Sequence, residues 1–325
     1  MRAVQISTLD GPDSVTVVDI DEPAARDGSV VIEVHAAGVA FPDALLTRGL
    51  YQYKPELPFV PGSEIAGIVR SAPPESGFSA GDRVAALTGL SDGMAEVAVV
   101  SPDTVFALPE SVSLSAGAGL LFNDLTVHFA LRERGRLAPG ETVLVHGAAG
   151  GIGTSALRMA PVLGASRVIA VVSSQAKADI ARSAGATDVV LLDGWKDAVK
   201  ELTGGRGVDV VVDPVGGDRF TDSIRSLAPS GRILVLGFTG GEIPTVKVNR
   251  LLLNNVDVVG VGWGAWWMTR PGYLATQWAE IEPLLADGSL SAPEPSVFPA
   301  ADAAAAIASL ENRTAAGKVV LAFTH

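Results

Sequence analysis

Cysteine is absent from this 325-residue chain, and its absence excludes a large part of protein chemistry. Without a thiol there is no disulfide, no thiolate nucleophile and no cysteine-ligated zinc or iron–sulfur site. Histidine is also scarce: four residues are scattered along the chain, and no G-x-S-x-G sequence accompanies them. Hydrolase chemistry therefore has no support in the sequence.

A basic surface and a long apolar segment are missing as well. The 24 lysines and arginines are outnumbered by 36 aspartates and glutamates, and the formal net charge of −12 repels a polyphosphate backbone. No uncharged apolar run approaches the roughly 18 residues of a membrane span, and the amino terminus lacks an apolar signal core. The sequence thus predicts a soluble, cytoplasmic protein that binds neither nucleic acid nor membranes.

What the chain has in abundance is apolar residues, at 48%, and glycine, at 36 residues. This composition and length predict two domains with a large buried core. Beyond residue 140, short Val/Ile/Leu runs alternate with helical stretches, as expected for strands buried on both faces of a parallel sheet. Six such runs predict a doubly wound α/β domain that binds a dinucleotide. The runs are 142–146, 167–172, 188–192, 208–213, 232–237 and 256–261.

The two ends of the chain follow another pattern. Up to about residue 115, short strands are separated by proline and glycine, which predicts a compact β-rich region. The carboxyl-terminal part returns to helices, among them the alanine-rich segment 299–310, and to one strand at 317–323. We expect this part to pack on the amino-terminal region. The predicted domains are 1–118 together with 265–325, and 119–264.

A glycine-rich turn follows the first of the six strands, in the sequence VLVHGAAGGIGTSALRMA at 143–160. Small residues between a strand and a helix let a pyrophosphate approach the free backbone N–H groups and the positive end of the helix dipole. Ala148 replaces the first glycine of the G-x-G-x-x-G pattern, so a purely structural turn is the alternative. The residues expected to bind the cofactor are Ala149, Gly150, Gly151 and Ile152.

The second strand ends in the sequence VVSSQAK, where NAD enzymes normally place a carboxylate that binds the adenosine ribose. No acidic residue occurs between Glu141 and Asp179. A carboxylate would repel a 2′-phosphate, whereas hydroxyls and a cation attract it, so Ser173, Ser174 and Lys177 favour NADPH over NADH. Helix capping by the serines is the structural interpretation, and it is compatible with phosphate binding.

Seven segments of the chain together carry a resemblance to a known family. They are GVAFPDALLTRGLYQYKPELPFVPGSEIAG (38–67), GDRV (81–84), LTVHFAL (125–131), GETVLVHGAAGGIG (140–153), GVDVVVDPVGG (207–217), GRILVLGF (231–238) and GKVVL (317–321). With them the chain resembles the zinc-independent quinone oxidoreductase branch of the medium-chain dehydrogenase/reductase superfamily over essentially its full length. The resemblance implies a GroES-like β-rich catalytic domain, a six-stranded Rossmann domain and a cofactor cleft between them.

The resemblance also implies the reaction. Zinc-dependent relatives hold their metal with cysteines and a His-Glu pair, whereas this chain has Ser63-Glu64 and no cysteine, so we expect no metal. Hydride transfer from NADPH to an acceptor that is already electrophilic remains. A quinone is the expected acceptor, and an α,β-unsaturated carbonyl (an enone or enoyl-CoA) is the alternative. A non-catalytic NADPH- or RNA-binding protein is a third hypothesis, and the acidic composition argues against RNA.

The substrate region departs from its relatives. Their "VNxxD" stretch and tyrosine pair become Ala40, Asp43, Leu45 and Tyr51 in this chain, so that an asparagine and one tyrosine are lost. We therefore expect Ala40, Leu45 and Tyr51 to line a roomier, more apolar pocket, with Tyr51 as the proton donor. Packing of Tyr51 at the domain junction is the alternative. Asp43 is predicted to be structural, in the first turn of a helix.

Further cofactor contacts follow from the resemblance. Thr126 matches a threonine beside the nicotinamide ribose, Phe238 lies where a strand end holds the carboxamide, and Lys318 matches a lysine next to the cofactor. Each of these residues has a purely structural role as its alternative.

Trp263 belongs to the tryptophan-rich stretch GVGWGAWWM, which follows the sixth strand. We expect it to line both the nicotinamide and the substrate, and a buried seam between domains or subunits is the alternative. Pairing of the sixth strand with its copy across a two-fold axis would protect that edge and predicts a homodimer.

Overall fold

The computed structural model describes residues 1–324, which form two compact units. The first unit contains Met1–Leu125 and the chain from Pro271 onward, and the second contains Thr126–Arg270. The boundaries predicted from the sequence fall a few residues before each of these two divisions.

The β-strands of both units are mostly short. In chain order they are β1 Arg2–Ile6, β2 Val15–Asp19, β3 Val30–Val39, β4 Glu64–Ser71, β5 Arg83–Leu87, β6 Val97–Val100, β7 Val105–Ala107, β8 Thr142–Val145, β9 Arg167–Val172, β10 Asp188–Leu191, β11 Val208–Asp213, β12 Leu227–Val235, β13 Asp257–Gly260, β14 Ser296–Pro299 and β15 Val319–Ala322.

Helices connect most of these strands. The α-helices are α1 Phe41–Leu46, α2 Leu114–Gly117, α3 Leu121–His128, α4 Gly151–Val162, α5 Gln175–Ser183, α6 Trp195–Leu202, α7 Phe220–Arg225, α8 Asn249–Asn254, α9 Trp263–Trp267, α10 Tyr273–Ala286 and α11 Ala303–Glu311. A π-helical stretch, Phe129–Arg134, continues α3. Among the described residues, no helix is both long and apolar enough for a membrane span.

The second unit is built on a six-stranded parallel sheet in the order β10-β9-β8-β11-β12-β13. This confirms the doubly wound fold, because all six predicted strands are present and the strand order reverses between β8 and β11. Every residue of the central strand β11 is buried, as its unbroken apolar run predicts, whereas β13 at the edge is largely exposed. Ligands of such sheets bind outside the carboxyl ends of the strands at the reversal.

The first unit contains a seven-stranded sheet and a separate two-stranded one. The main path of the larger sheet is β14-β15-β3-β4-β5-β7, and β6 also pairs with β3. The antiparallel pairing of β15 with β3 confirms that the carboxyl-terminal part packs on the amino-terminal region. Strand β14 was not predicted, because its sequence SVFP alternates only weakly and ends in proline.

Candidate functional site

The glycine-rich turn between β8 and α4 has the shape of an anion cradle. Gly147 has φ +57°, and a Cβ on Gly153 would lie 2.2 Å from the Gly147 carbonyl oxygen, so only glycine fits there. Helix α4 begins after Gly150 without a side-chain cap, so no capping side chain accepts its first N–H groups. Backbone donors at the start of a twelve-residue helix suit a pyrophosphate.

The segment after β9 places its hydroxyls at the surface. Ser173 and Ser174 are exposed, and Ser174 Oγ accepts the Lys177 N–H at 3.3 Å and so caps α5. The capping interpretation is therefore confirmed for Ser174. A capping hydroxyl still has its own proton to donate, and the first turn of α5 contains no acidic residue.

Predicted cofactor residues from four strand ends lie at one edge of the six-stranded sheet. Phe238 follows β12, and Trp263 follows β13 as the first residue of α9. Because parallel strands end at the same edge, both lie at the edge that carries the glycine-rich turn and the serines. Trp263 is buried and its ring lies 5.9 Å from that of Trp267, whereas Thr126 is half-buried within α3.

His146 lies in the core beneath the glycine-rich turn. Its Nε2 lies 2.7 Å from the Ser223 hydroxyl, and its ring contacts Trp195 edge to face. Burial lowers the pKa of His146 to about 3, so the imidazole is neutral at any physiological pH. His146 is therefore a core residue rather than a base.

Asp213 is a residue at the strand reversal that the sequence reasoning missed. At the end of β11, its Oδ1 accepts the N–H groups of Val215 and Gly216, both at 2.9 Å, and so shapes the turn beside the cradle. Burial raises the pKa of this carboxyl group. The signal was present in the sequence, since a carboxylate that ends an apolar strand needs local donors.

Three of the four predicted substrate residues lie together in the first unit, around α1, whereas Trp263 belongs to the second unit. Ala40 is buried at the start of α1, while Leu45 and Tyr51 are half-buried. Tyr51 packs against the hydrophobic core of this unit, and burial, helped by the charge of Asp43, raises its pKa. The phenol therefore keeps its proton at neutral pH, as a proton donor requires.

Asp43 is fully buried within α1. Its Oδ2 accepts the Ala40 N–H at 2.7 Å, and its Oδ1 accepts the Gly62 N–H at 3.2 Å. Burial raises its pKa to about 6, against the opposing effects of these hydrogen bonds and of the Lys318 charge. The predicted position of Asp43 in the first turn of a helix is thus confirmed. Its carboxylate also accepts a hydrogen bond from Gly62, which lies outside that helix.

Lys318 and Glu64 form an ion pair that is shielded from solvent. Lys318 Nζ lies 2.6 Å from Glu64 Oε1, and the two side chains are 3% and 1% exposed. Glu64 Oε2 also accepts the Phe122 N–H at 2.9 Å. Burial raises the pKa of Glu64, whereas Lys318 favours its charged form. The cofactor contact predicted for Lys318 stays a prediction.

The residues at this position do not fit a catalytic zinc. Ser63 takes the place of the histidine ligand, and its buried hydroxyl forms no hydrogen bond with any residue from 1 to 324. Within the same residues, no group of three or more His, Asp or Glu side chains could hold a metal ion. No step of the chemistry is therefore assigned to a metal.

Comparisons with known proteins decide the family. Residues 26–110 match the alcohol dehydrogenase GroES-like domain, and residues 151–280 match the zinc-binding dehydrogenase domain. The chain is 41% identical to quinone oxidoreductase-like protein 2 of Rattus norvegicus over 266 residues, which are 81% of this chain and 75% of the rat protein. The chain belongs to the quinone oxidoreductase branch of the medium-chain dehydrogenase/reductase superfamily.

Two solved structures of this superfamily are closely similar. One is the Escherichia coli quinone oxidoreductase complexed with NADPH, with a TM-score of 0.88 and 28% identity over 99% of this chain and 100% of that one. The other is the CurK enoyl reductase, with a TM-score of 0.87 and 26% identity over 99% of each chain. Although the matched domain is named for zinc binding, this chain has serine in place of the histidine ligand and contains no cysteine.

Proposed function

We propose that this member of the branch is an NADPH-dependent reductase that transfers hydride to a quinone without a metal. The observation that carries the proposal is the carboxyl edge of the six-stranded sheet. There, a cradle that only glycine can form precedes an uncapped helix, and an acid-free segment of hydroxyls and a lysine follows the next strand. The solved NADPH complex of a relative supports the same cofactor.

In the cofactor site, each residue has a defined role. NADPH, when bound, supplies the hydride. Backbone N–H groups of the glycine-rich turn would hold the pyrophosphate, and the serines and Lys177 would hold the 2′-phosphate. Thr126, Phe238 and Trp263 would orient the nicotinamide, and Lys318 would contact the cofactor. The residues of the turn are Ala149, Gly150, Gly151 and Ile152.

On the acceptor side, Tyr51 supplies the proton. Addition of hydride to a quinone places negative charge on an oxygen, and the protonated phenol donates to that oxygen, so that quinone, NADPH and one proton give hydroquinone and NADP⁺. Ala40 and Leu45 contribute only apolar surface, which excludes water and accommodates the carbon skeleton. Solvent returns the proton to Tyr51.

Reduction of an α,β-unsaturated carbonyl is the second candidate. The same hydride and phenol would serve, because addition to the double bond produces an enolate whose charge also develops on oxygen. The similarity to the CurK enoyl reductase favours this alternative.

The test is NADPH oxidation in the presence of benzoquinones, naphthoquinones and a panel of enones. The proposal expects saturable turnover that is faster with quinones than with enones. Faster turnover with enones would select the second candidate. Tight NADPH binding with no turnover on any acceptor would instead indicate a binding protein.

We also propose that the chain forms a homodimer through β13. This strand is at the sheet edge and largely exposed, and the neighbouring helix α8 carries Leu252 and Leu253 with about three quarters of their surface exposed. Antiparallel pairing of β13 with its copy would satisfy the open edge and cover this apolar surface.

Sedimentation of the wild type and of Leu253→Glu tests the homodimer. We expect a dimer that dissociates in the variant while NADPH affinity is retained, and a monomeric wild type would contradict the proposal. The cytoplasmic location and the absence of nucleic-acid and membrane partners stay predictions from the sequence.

A further inference from the structure

A buried lysine links two stretches of the first unit that are separated in the sequence. Lys318 Nζ donates to the Val39 carbonyl oxygen at 3.1 Å and lies 2.6 Å from Glu64 Oε1. Val39 ends β3 and Glu64 begins β4, so one ammonium group joins the end of one strand to the start of the next. Glycine makes room for this arrangement, because a Cβ on Gly38 would lie 2.6 Å from Cγ of Glu64, and one on Gly119 would lie 2.9 Å from Cγ of Lys318.

A buried carboxylate makes a second link between the same two stretches. Asp43 accepts the N–H of Ala40, the residue after Val39, and the N–H of Gly62, two residues before Glu64. Residues 39–40 and 62–64 are thus joined twice, once through a cation and once through an anion. We call Asp43, Glu64 and Lys318 together the charged clasp.

The second link requires a carboxylate rather than an ordinary helix cap. Serine and asparagine each offer one oxygen, whereas Asp43 uses two oxygens for donors from different segments. Asparagine at this position would turn an NH₂ group toward one of the two N–H donors. Burial of a charged group is costly, and α1 has only six residues. Capping of this short helix alone therefore does not explain why a carboxylate, rather than serine or asparagine, occupies position 43.

The stretch that the clasp holds includes the position at which zinc-dependent relatives carry their His-Glu pair. In this chain Ser63 has no imidazole, and the only cation that reaches Glu64 among the described residues is the Lys318 ammonium. The clasp holds this stretch by hydrogen bonds and an ion pair.

We propose that the charged clasp positions the acceptor residues of this chain. It fixes residues 39–40 against 62–64 and so sets the positions of Ala40, Leu45 and Tyr51, an assignment that rests on the proposed function. Asp43 is a positioning residue, since it is assigned contact with neither the cofactor nor the acceptor, and Lys318 has this positioning role in addition to the cofactor contact predicted for it.

The first experiment compares full-length wild type with Asp43→Asn. Amide hydrogen exchange at Ala40, at Gly62 or at both should become about tenfold faster, because at least one N–H loses its acceptor. Turnover number with a quinone should fall about tenfold, while NADPH affinity measured by fluorescence titration changes less than twofold. A merely structural defect would lower the fraction of folded enzyme without this separation of turnover number from cofactor affinity.

Arg232→Met is the matched control. Arg232 makes a partly buried ion pair with Glu141 in the second unit and also donates to the Gly135 carbonyl, at the end of the sheet opposite the cradle. Its loss should reduce stability, but the exchange of the Ala40 and Gly62 amides and the turnover number per folded enzyme should be unchanged.

The second experiment separates charge balance from positioning. Glu64→Gln and Lys318→Met each leave one buried charge without its partner, so both single variants should lose stability, and the double variant should recover much of it. Because the double variant still lacks the link to Val39, its turnover number should stay low. Recovery of turnover together with stability would overturn the positioning role.

Two results in the first experiment would also overturn the proposal. One is unchanged exchange at Ala40 and Gly62 in Asp43→Asn, and the other is faster exchange with an unchanged turnover number. If the wild type reduces no acceptor at all, the proposed function fails separately. Amide hydrogen exchange in Asp43→Asn then tests the clasp by itself. Faster exchange confined to residues 39–46 and 59–66 supports the clasp, and unchanged exchange overturns it.

Discussion

The carboxyl edge of the six-stranded sheet and the region around α1 are built by opposite means. At the sheet edge, the groups proposed to bind the cofactor are backbone N–H groups, small residues and exposed hydroxyls. Around α1, three buried charged side chains hold the chain, and the residues they position are apolar or aromatic. A pyrophosphate can be bound by backbone N–H groups, whereas the proposed acceptor region depends on buried side chains to hold its shape.

The largest effect should come from closing the cradle. In Gly153→Ala the new Cβ would meet the Gly147 carbonyl oxygen at 2.2 Å, so the turn must shift and its N–H groups leave the pyrophosphate. Loss of two or three charge-assisted hydrogen bonds costs about 4 kcal/mol, or roughly a thousandfold in NADPH affinity. Fluorescence titration measures this, and Gly264→Ala, which has no neighbour closer than 4.0 Å, is the control. Equal affinities would show that the cradle does not bind the cofactor.

The next effect is on stability and concerns the acceptor side. Burial raises the pKa of Asp43 from 3.8 to about 6. The charge of Glu64 raises this pKa further and that of Lys318 opposes the shift, while Asp43 in turn raises the pKa of Tyr51. The folded state therefore binds more protons between pH 4 and 6, and its stability relative to Asp43→Asn should fall as pH rises through this window. A shift of about two pKa units corresponds to roughly 3 kcal/mol.

Urea unfolding at pH 4, 5, 6 and 7 measures this difference. The free energy of unfolding of the wild type minus that of Asp43→Asn should decrease from pH 4 to pH 6 and then level off. A difference that does not vary with pH would mean that the Asp43 carboxyl group has an ordinary pKa.

Tyr51→Phe should reduce turnover about a hundredfold with unchanged NADPH affinity, because a positioned general acid contributes at least that much. Steady-state kinetics with a naphthoquinone provides the measurement. Tyr53→Phe is the control, since Tyr53 lies two residues away and is exposed. If both variants turn over at the wild-type rate, the proton comes from another group.

The smallest effect should be on cofactor choice. Lys177→Glu replaces the cation expected at the 2′-phosphate with a carboxylate, which should lower the ratio of kcat/KM for NADPH to that for NADH about tenfold. Lys200→Glu, at an exposed position on α6, controls for the change in net charge. A ratio that is the same in both variants would remove Lys177 from the phosphate site.

The two regions also differed in how well the sequence predicted them. The strand Val208–Asp213 was predicted to the residue, because a strand buried on both faces shows as an unbroken apolar run. The glycine-rich turn was also predicted, because its pattern of glycines lies within one short segment of the sequence. Strand β14 was missed, because it is short, half-exposed and held mainly by its pairing with β15.

The charged clasp could not be predicted from local patterns. Lys318 binds a carbonyl group 279 residues away, and neither partner carries a sign of that contact in its own neighbourhood. Asp43 was placed correctly in the first turn of a helix, but its second acceptor bond, to Gly62, depends on how β3 and β4 pair. Burial and long-range pairing determine these contacts.

In the proposed reductase, NADPH held mainly by backbone groups donates hydride to an acceptor in a region without a metal. The most direct test of this proposal is steady-state oxidation of NADPH by a naphthoquinone with enzyme that has been dialysed against a strong chelator. We expect saturable turnover that chelation leaves unchanged and that is faster with NADPH than with NADH. Loss of turnover on chelation, with recovery on adding zinc, would contradict it.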